Sequence, residues 1–143
     1  MIQSIRLQYF RSYQDRTFEF VPGVNIIAGP NASGKTNLLE SILVTARGGS
    51  YRVKDRDLIS FEQDWSRLDT VLLDGSERTI KLQANRLPAK QYVIDQKNFV
   101  RLTYKHMLPV VLFEPNHLQL LHGSPDQRRS YMDDLLEQLV PNF

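Results

Sequence analysis

The chain has 143 residues, of which 41% are hydrophobic and 24% charged, so its composition is that of an ordinary globular protein with a core of its own. It has no cysteine, which excludes a disulfide framework and a thiolate metal site, and its formal net charge of +2 leaves nucleic-acid binding open. The N-terminus lacks an apolar signal segment, and no apolar run approaches the ~18 residues of a membrane span, so we expect a cytoplasmic protein that is not bound to a membrane.

The N-terminal part of the sequence predicts two strands and a third that leads into a glycine-rich loop. Apolar and polar residues alternate over 2–9 and again over 17–21, as they do in half-buried strands. Pro22-Gly23 is typical of a turn, and the residues of 24–28 then predict a short strand.

A helix is predicted directly after the glycine-rich loop, because the hydrophobic period changes at Thr36 to that of a helix. Gly48 and Gly49 are expected to end it. The polar stretch 50–66 then predicts a loop with a short helix. The apolar face of the long helix is expected to consist of Leu38, Leu39, Ile42, Leu43 and Ala46.

Two hairpins are predicted in the middle of the chain. Strands are expected over 68–73 and 79–83, and residues 74–77 (Asp-Gly-Ser-Glu) between them have the composition of a turn. A second hairpin is predicted over 91–102, with its turn at 95–98.

The last third of the chain predicts one strand and one helix. Residues 110–113 form a continuous apolar run of the kind found in buried strands. Ser124 as the N-cap, Pro125 at the first helical position and Asp126 in the first turn predict a helix that reaches about Val140.

Residues 29–36 carry the most specific signal, since Gly-Pro-Asn-Ala-Ser-Gly-Lys-Thr follows the G-x-x-x-x-G-K-[ST] pattern of a phosphate-binding loop. Gly29 and Gly34 give the backbone the freedom to turn its N–H groups inward. Lys35 is placed to reach the β- and γ-phosphates, and the Thr36 hydroxyl to hold Mg²⁺. Because a strand is predicted before the loop and a helix after it, the pattern predicts a nucleoside triphosphate site.

Hydrolysis needs an acidic residue at a second strand end, and two stretches resemble one. Val71-Leu72-Leu73-Asp74 is the first, and it would make the chain a self-contained P-loop kinase or GTPase. Since turn residues follow Asp74 at once, we favour a hairpin there. The second stretch ends in Glu114. The three histidines, at 106, 117 and 122, lack the spacing of a metal site.

Several motifs together resemble the ABC-type ATPase heads of the SMC and RecF superfamily, and within it the RecF family of bacterial DNA replication and recombination-repair proteins. The resemblance extends over nearly the whole chain. The signature motif, the acidic Walker B strand and most of the arm of that family are not found in it. The motifs that carry the resemblance are Phe10-Arg11-Ser12-Tyr13, residues 25–27 with 29–40, residues 50–52 with 56–59, and residues 113–118 with 123–133, which include a Gly-Ser-Pro-x-x-Arg-Arg run.

The resemblance implies an α/β fold, a P-loop ABC-ATPase-type lobe in which a mixed sheet flanks the P-loop helix. An antiparallel β-subdomain is expected from residues near 1–20 and 68–102, followed by a C-terminal helix. Residues 1–143 would form a single partial domain, the N-terminal half of a RecF-like head, in which about 125–143 begin the arm.

The resemblance also implies that ATP and Mg²⁺ are the cofactors. Lys35 and Thr36 would bind the triphosphate and the Mg²⁺, and Arg11 and Ser12 would lie close to the nucleotide. The segment 114–116 takes the place of a Q-loop without its glutamine, and His117 stands where the family usually has an acid. The expected nucleotide-binding residues are Arg11, Ser12, Gly29, Pro30, Asn31, Ala32, Ser33, Gly34, Lys35, Thr36 and Asn37.

As partners, the resemblance implies single-strand/double-strand DNA junctions, RecR, the RecA loading pathway with its SOS response, and an ATP-dependent dimer of full-length heads. Candidate DNA contacts are Arg47, Arg52, Lys54 and Arg56, for which a solvated loop is the alternative. No catalytic residue is assigned, and this chain alone is expected to bind nucleotide weakly or not at all and to show no turnover. A binding module that holds ATP only to shape a protein interface is the remaining alternative.

Overall fold

A computed structural model describes residues 1–114 and 124–139 of the chain. Two compact units are distinguished, residues 1–108 and the part that begins at Pro109. The sequence-based expectations for Pro115, Asn116, His117, His122 and Val140 lie outside the described residues.

The first unit is built on an antiparallel sheet of six strands in the order β2-β1-β3-β4-β5-β6. Every neighbouring pair of these strands is antiparallel. The sheet therefore confirms the antiparallel β-structure expected from residues near 1–20 and 68–102. Its strands are β1 (Ile2–Phe10), β2 (Tyr13–Glu19), β3 (Trp65–Leu72), β4 (Glu77–Gln83), β5 (Lys90–Ile94) and β6 (Lys97–Phe99).

The helices of the described residues agree with the sequence patterns. The first, α1 (Lys35–Arg47), ends at Gly48, which has a φ of 86° and donates its N–H to the Val44 carbonyl. A single turn, α2 (Asp55–Leu58), lies in the polar stretch, and a 3₁₀ turn covers Tyr104–His106. In the second unit α3 (Pro125–Leu139) begins where the Ser124-Pro125 signal predicts it. Within the part of the chain that the structure covers, no helix is both long and apolar enough to cross a bilayer.

The core lies on one face of the sheet, because alternate residues of the central strands are buried. Strand β3 buries four residues out of eight in strict alternation, and β4 buries three out of seven. The opposite face is polar and carries ion pairs such as Arg67–Asp69, at 2.8 Å. The core cluster consists of Ile5, Leu7, Phe10, Leu38, Val44, Leu58, Ile59, Leu68, Ile80, Leu82 and Tyr92.

The buried face of α1 is more polar than the sequence predicts. Glu40, Ser41 and Thr45 are buried together with Leu38 and Val44. Leu39, which the apolar pattern assigned to the inner face, is 47% exposed, so that assignment is wrong. Hydrogen bonds compensate the burial, since the Ser41 hydroxyl donates to the Leu38 carbonyl at 2.7 Å and the polar groups thereby avoid the cost of desolvation.

The C-terminal end of α1 is held by side chains of the sheet. Arg78, only 7% exposed, donates from Nη1 to the Thr45 carbonyl at 3.0 Å. The Gly48 carbonyl accepts hydrogen bonds from the Lys90 ammonium and, at 3.0 Å, from the Tyr92 hydroxyl. Two cations therefore lie at the negative end of the helix dipole, where they stabilise the helix.

Both predicted hairpins are present, and the turn of the second hairpin is shorter than the sequence predicts. Asp74 Oδ1 accepts hydrogen bonds from the Ser76 amide at 3.0 Å and the Ser76 hydroxyl at 2.6 Å, and these bonds lower the pKa of the Asp74 carboxyl. The second hairpin turns at Asp95 and Gln96, whose φ values of 46° and 66° fit a two-residue type I′ turn. The prediction of a four-residue turn at 95–98 followed by a strand over 99–102 is wrong, because β6 begins at Lys97 and ends at Phe99.

Two predicted strands are not formed. Residues 24–28 run extended without a strand partner, and Val24 and Ile26 are 85% and 88% exposed. Residues 110–113 are not a strand either, and Val111 is 68% exposed. A strand is stabilised by pairing with a neighbour, and no strand of the described residues runs beside these two segments. The described residues consequently contain the antiparallel sheet and no parallel pair.

Candidate nucleotide-binding site

The glycine-rich loop, residues 29–34, lies between the extended segment 24–28 and the first turn of α1. Ala32 and Gly34 have φ values of 63° and 96°, and the Ser33 amide donates to the Pro30 carbonyl at 3.3 Å. Left-handed residues that alternate with ordinary ones give a backbone in which neighbouring N–H groups converge on an anion. We call residues 29–34 the phosphate loop.

The N-terminus of α1 has no side-chain cap and no acidic residue in its first turn. The amides of Lys35, Thr36 and Asn37 have no main-chain acceptor within residues 1–114 and 124–139. Uncapped amides and the positive end of the helix dipole favour an anion at this position.

The side chain of Lys35 is bound to main-chain carbonyls of the phosphate loop. Its Nζ atom donates to the carbonyl oxygens of Gly29 at 2.7 Å and Pro30 at 2.6 Å. An ammonium has three donors, so these two bonds leave the cation able to meet a phosphate oxygen. Thr36, the predicted Mg²⁺ ligand, is exposed in the first turn of α1.

Tyr13, the first residue of β2, contacts the phosphate loop from the side. Its hydroxyl donates to the Gly34 carbonyl at 3.0 Å, its ring packs edge-on against Phe18 at 5.2 Å, and burial raises the pKa of the phenol. A Cβ atom on Gly34 would lie 2.7 Å from the Tyr13 hydroxyl oxygen. Glycine is therefore required at position 34 both by the left-handed backbone and by this close approach.

The loop is not closed by that contact. A cleft of about 540 Å³ separates the phosphate loop from β2, with Gly29, Ser33 and Lys35 on one side and Tyr13 and Phe18 on the other. Small-molecule sites have volumes of about 300–1,000 Å³, so the cleft is large enough for a nucleotide.

Ser12 lies beside the phosphate loop, whereas Arg11 is bound elsewhere. The Ser12 hydroxyl accepts a hydrogen bond from the Asn37 amide group at 2.9 Å. Arg11 donates from Nε to Glu40 Oε2 at 2.9 Å and from Nη1 to the Asp57 carbonyl at 3.0 Å. Both residues line a second cleft of about 840 Å³, and Ser12 lines the first cleft as well.

The four candidate DNA contacts are not gathered in one patch. Arg52 and Lys54 line the same shallow depression, Arg56 lines the larger cleft, and Arg47 is partly buried in the last turn of α1. None of the four takes part in the ion pairs formed by the described residues. Residues 50–57, which carry three of them, are called the basic segment.

Asp74, the metal acid of the kinase or GTPase alternative, lies at the far end of the sheet. The end of β3 pairs with the start of β1, as Leu72 lies opposite Ile2, whereas the other end of β1 leads to Tyr13 and the phosphate loop. The two ends of β1 are eight residue steps apart, about 26 Å at roughly 3.3 Å per residue. Among the residues described, no group of three or more His, Asp or Glu side chains could hold a metal ion.

A G-x-x-x-x-G-K-[ST] loop that opens a helix is the arrangement found in P-loop proteins. The chain belongs to the AAA domain family, whose model matches residues 4–111. A more particular relative is the DNA replication and repair protein RecF of Heliobacterium modesticaldum, which is 36% identical over 145 residues. That match covers 99% of this chain and 39% of the RecF chain, so the chain spans about two fifths of the length of that curated relative.

The solved structures agree with the sequence comparison. A recombination mediator protein RecF of the RecFOR pathway, in its RecF-ATPrS form, superimposes with a TM-score of 0.87 at 26% identity, over 99% of this chain and 39% of that chain. A structure from a study of ATP-driven dimerization and DNA stimulated activation of SMC ATPases gives a TM-score of 0.72 at 18% identity, over 94% of this chain and 98% of that chain, which shows the fold alone. The resemblance to RecF and the α/β fold class are confirmed.

Three residues of the site have contacts that sequence reasoning did not assign. Tyr13, Glu40 and Ser50 all occur within the motifs that carry the resemblance, and the sequence assigns none of them a contact. The strand predicted over 17–21 does not include Tyr13, so the sequence gives no sign that Tyr13 reaches the loop. A single glutamate on a helix is most often solvated, so Glu40 carried no signal of burial either.

Proposed function

We propose that this chain is the nucleotide-binding part of an ATP-dependent DNA replication and recombination-repair protein. The observation that carries the proposal is the uncapped N-terminus of α1 behind a phosphate loop that holds the Lys35 ammonium. The similarity to RecF, including a solved RecF-ATP structure with a TM-score of 0.83, supports ATP as the triphosphate.

In the proposed complex the phosphates lie on the amides that begin α1. Lys35 would turn from the loop carbonyls toward the β- and γ-phosphates, and the exposed Thr36 hydroxyl would hold Mg²⁺. Bound Mg²⁺ supplies charge neutralisation for the phosphates. The donors and the cleft of about 540 Å³ fit this group, and Gly29, Pro30, Ser33 and Lys35 line that cleft. Asn31, Ala32 and Asn37 are proposed as further contacts from their places in the loop and in the first turn of α1.

The basic segment is the proposed DNA contact. Arg52, Lys54 and Arg56 are exposed, and lysine and arginine side chains bind nucleic acid mainly through its phosphates. Arg47, in the last turn of α1, would contribute a further positive charge to the DNA contact. By similarity to RecF we further propose binding at single-strand/double-strand junctions, an ATP-dependent dimer of heads in the full-length protein, cooperation with RecR, and a part in RecA loading and the SOS response.

The test is an NMR titration of the ¹⁵N-labelled chain with Mg²⁺-ATP. We expect weak binding that shifts the amides of residues 29–37, because only one wall of the proposed site is contributed by this chain. Lys35→Ala should remove the shifts, whereas Lys81→Ala on the sheet should leave them unchanged, since Lys81 lies in β4. Shifts that persist in Lys35→Ala would contradict the proposed site. Phosphate release should equal that of a protein-free blank.

A further inference from the structure

Glu40 is a buried carboxylate that the proposed nucleotide site does not use. Its side chain is 1% exposed, and it lies on α1 five residues beyond Lys35. A carboxylate is rarely buried to this extent unless partners compensate its lost hydration.

Its two oxygens are bound by two different segments of the chain. Oε2 accepts from Arg11 Nε at 2.9 Å, and Oε1 accepts from the Ser50 hydroxyl at 2.5 Å. Arg11 belongs to the turn between β1 and β2, and Ser50 begins the basic segment. We call Arg11, Glu40 and Ser50 the Glu40 junction.

The junction holds the basic segment at both of its ends. At the start, the Ser50 oxygen also accepts the Arg52 amide at 3.0 Å. At the end, Arg11 Nη1 donates to the Asp57 carbonyl at 3.0 Å. The Glu40 carboxylate thereby connects both ends of the backbone that carries Arg52, Lys54 and Arg56 to α1. A separate ion pair between Asp55 and Lys90, at 2.6 Å, holds the middle of the segment to β5.

The same junction is directly connected to the phosphate loop. Arg11 is followed by Ser12, whose hydroxyl accepts from Asn37 at the start of α1. Glu40 itself lies on the helix whose first amides face the proposed phosphate. A displacement of α1 on nucleotide binding would therefore move Glu40, and with it both anchors of the basic segment.

We propose that Glu40 is a positioning residue that links the phosphate loop to the basic segment, so that a triphosphate and DNA bind with coupled affinities. The proposal rests on the function proposed above. Hydrogen bonds to a charged group are short and strong, so Arg11 and Ser50 are expected to follow a displacement of Glu40. Such coupling is reciprocal, and factors of about 5 to 150 are typical.

The experiment measures the dissociation constant of a fluorescein-labelled junction DNA by anisotropy, with and without Mg²⁺-ATP. For the wild-type chain we expect the two constants to differ at least about fivefold. Glu40→Gln keeps the shape of the side chain but removes its charge, and should bring the ratio close to one. Ser50→Ala, which leaves the Arg11–Glu40 pair intact, should lower the ratio as well and serves if Glu40→Gln does not fold.

Asp69→Asn is the matched control, because Asp69 has the same kinds of partners as Glu40. It accepts from Arg67 Nε at 2.8 Å and from the Thr79 hydroxyl at 2.5 Å, but all three residues lie within the sheet. This variant should keep the wild-type ratio.

Each outcome separates this inference from the proposed function. A wild-type chain that binds neither ATP nor DNA refutes the proposed function and the inference with it. A wild-type chain that binds both overturns the inference alone if its ratio is one, or if Glu40→Gln and Ser50→Ala leave the ratio unchanged. A purely structural role for Glu40 would weaken both affinities at a constant ratio, and that result also overturns the inference.

Discussion

Substitution of Gly34 by alanine tests the close contact between the phosphate loop and β2. The φ of Gly34 is 96°, and an added Cβ would lie 2.7 Å from the Tyr13 hydroxyl oxygen, 3.0 Å from Tyr13 Cζ and 3.1 Å from the Ser12 hydroxyl oxygen. A left-handed backbone costs an L-residue about 1–2 kcal/mol, and forcing a methyl group into packed surroundings costs about 1–3 kcal/mol more. Gly34→Ala should therefore lower the free energy of unfolding by about 2–5 kcal/mol.

Two other glycines separate the contributions. Gly75 has a φ of 81° but nothing within 4 Å of its added Cβ, so Gly75→Ala should cost only the backbone share of about 1–2 kcal/mol. Gly49 has open space and no left-handed φ, so Gly49→Ala should stay within about 0.5 kcal/mol of wild type. Urea unfolding at 25 °C, followed by circular dichroism, gives the three values. If Gly34→Ala costs no more than Gly75→Ala, then Tyr13 does not pack on the loop as described.

Three further predictions follow from the sheet. Arg78→Met leaves the Thr45 carbonyl without its side-chain donor and should cost about 1–3 kcal/mol in urea unfolding, against about 0.5 kcal/mol or less for Lys81→Met. Burial raises the pKa of Tyr92 to about 12, so the folded chain keeps a proton that the unfolded chain loses near pH 10, and stability should fall as the pH rises from about 10. Between about pH 10 and pH 12, Tyr92→Phe should lose roughly 2–3 kcal/mol less of its free energy of unfolding than the wild type does. An equal loss in the two proteins would contradict the burial of the phenol. Asp74→Asn keeps the acceptor for Ser76 and should leave the ATP-induced NMR shifts unchanged, whereas their loss would favour the kinase or GTPase alternative.

The elements that depend on local chemistry could be predicted from the sequence. Turn residues located both hairpins, Gly48 marked the end of α1, and Ser124-Pro125 marked the start of α3. The hairpin at Asp74 was also predicted, because the aspartate and the glycine beside it are turn residues in almost any context. Boundaries shifted by a few residues where pairing, rather than composition, decides how far a strand extends.

The features that depend on distant partners could not be predicted. Residues 24–28 have the composition of a strand, but a strand also requires a neighbour, and composition does not say whether one is present. The hydrophobic pattern of α1 selected the face with Leu39, whereas the face with Glu40 packs inward. Arg11 lies 29 residues from Glu40 in the sequence, and Ser50 lies 10 residues from it, so no local pattern shows that they meet.

The buried polar groups of α1 influence the orientation of the helix at the proposed nucleotide site. Apolar contacts are non-directional and permit a helix to rotate or slide by small amounts, whereas hydrogen bonds specify an orientation. Along α1 such bonds occur at the start through Asn37, in the middle through Glu40 and at the end through the carbonyls of Thr45 and Gly48. These bonds therefore oppose both rotation of α1 about its axis and sliding of α1 along that axis. Since its first amides are the proposed phosphate ligands, the same bonds determine where those amides point.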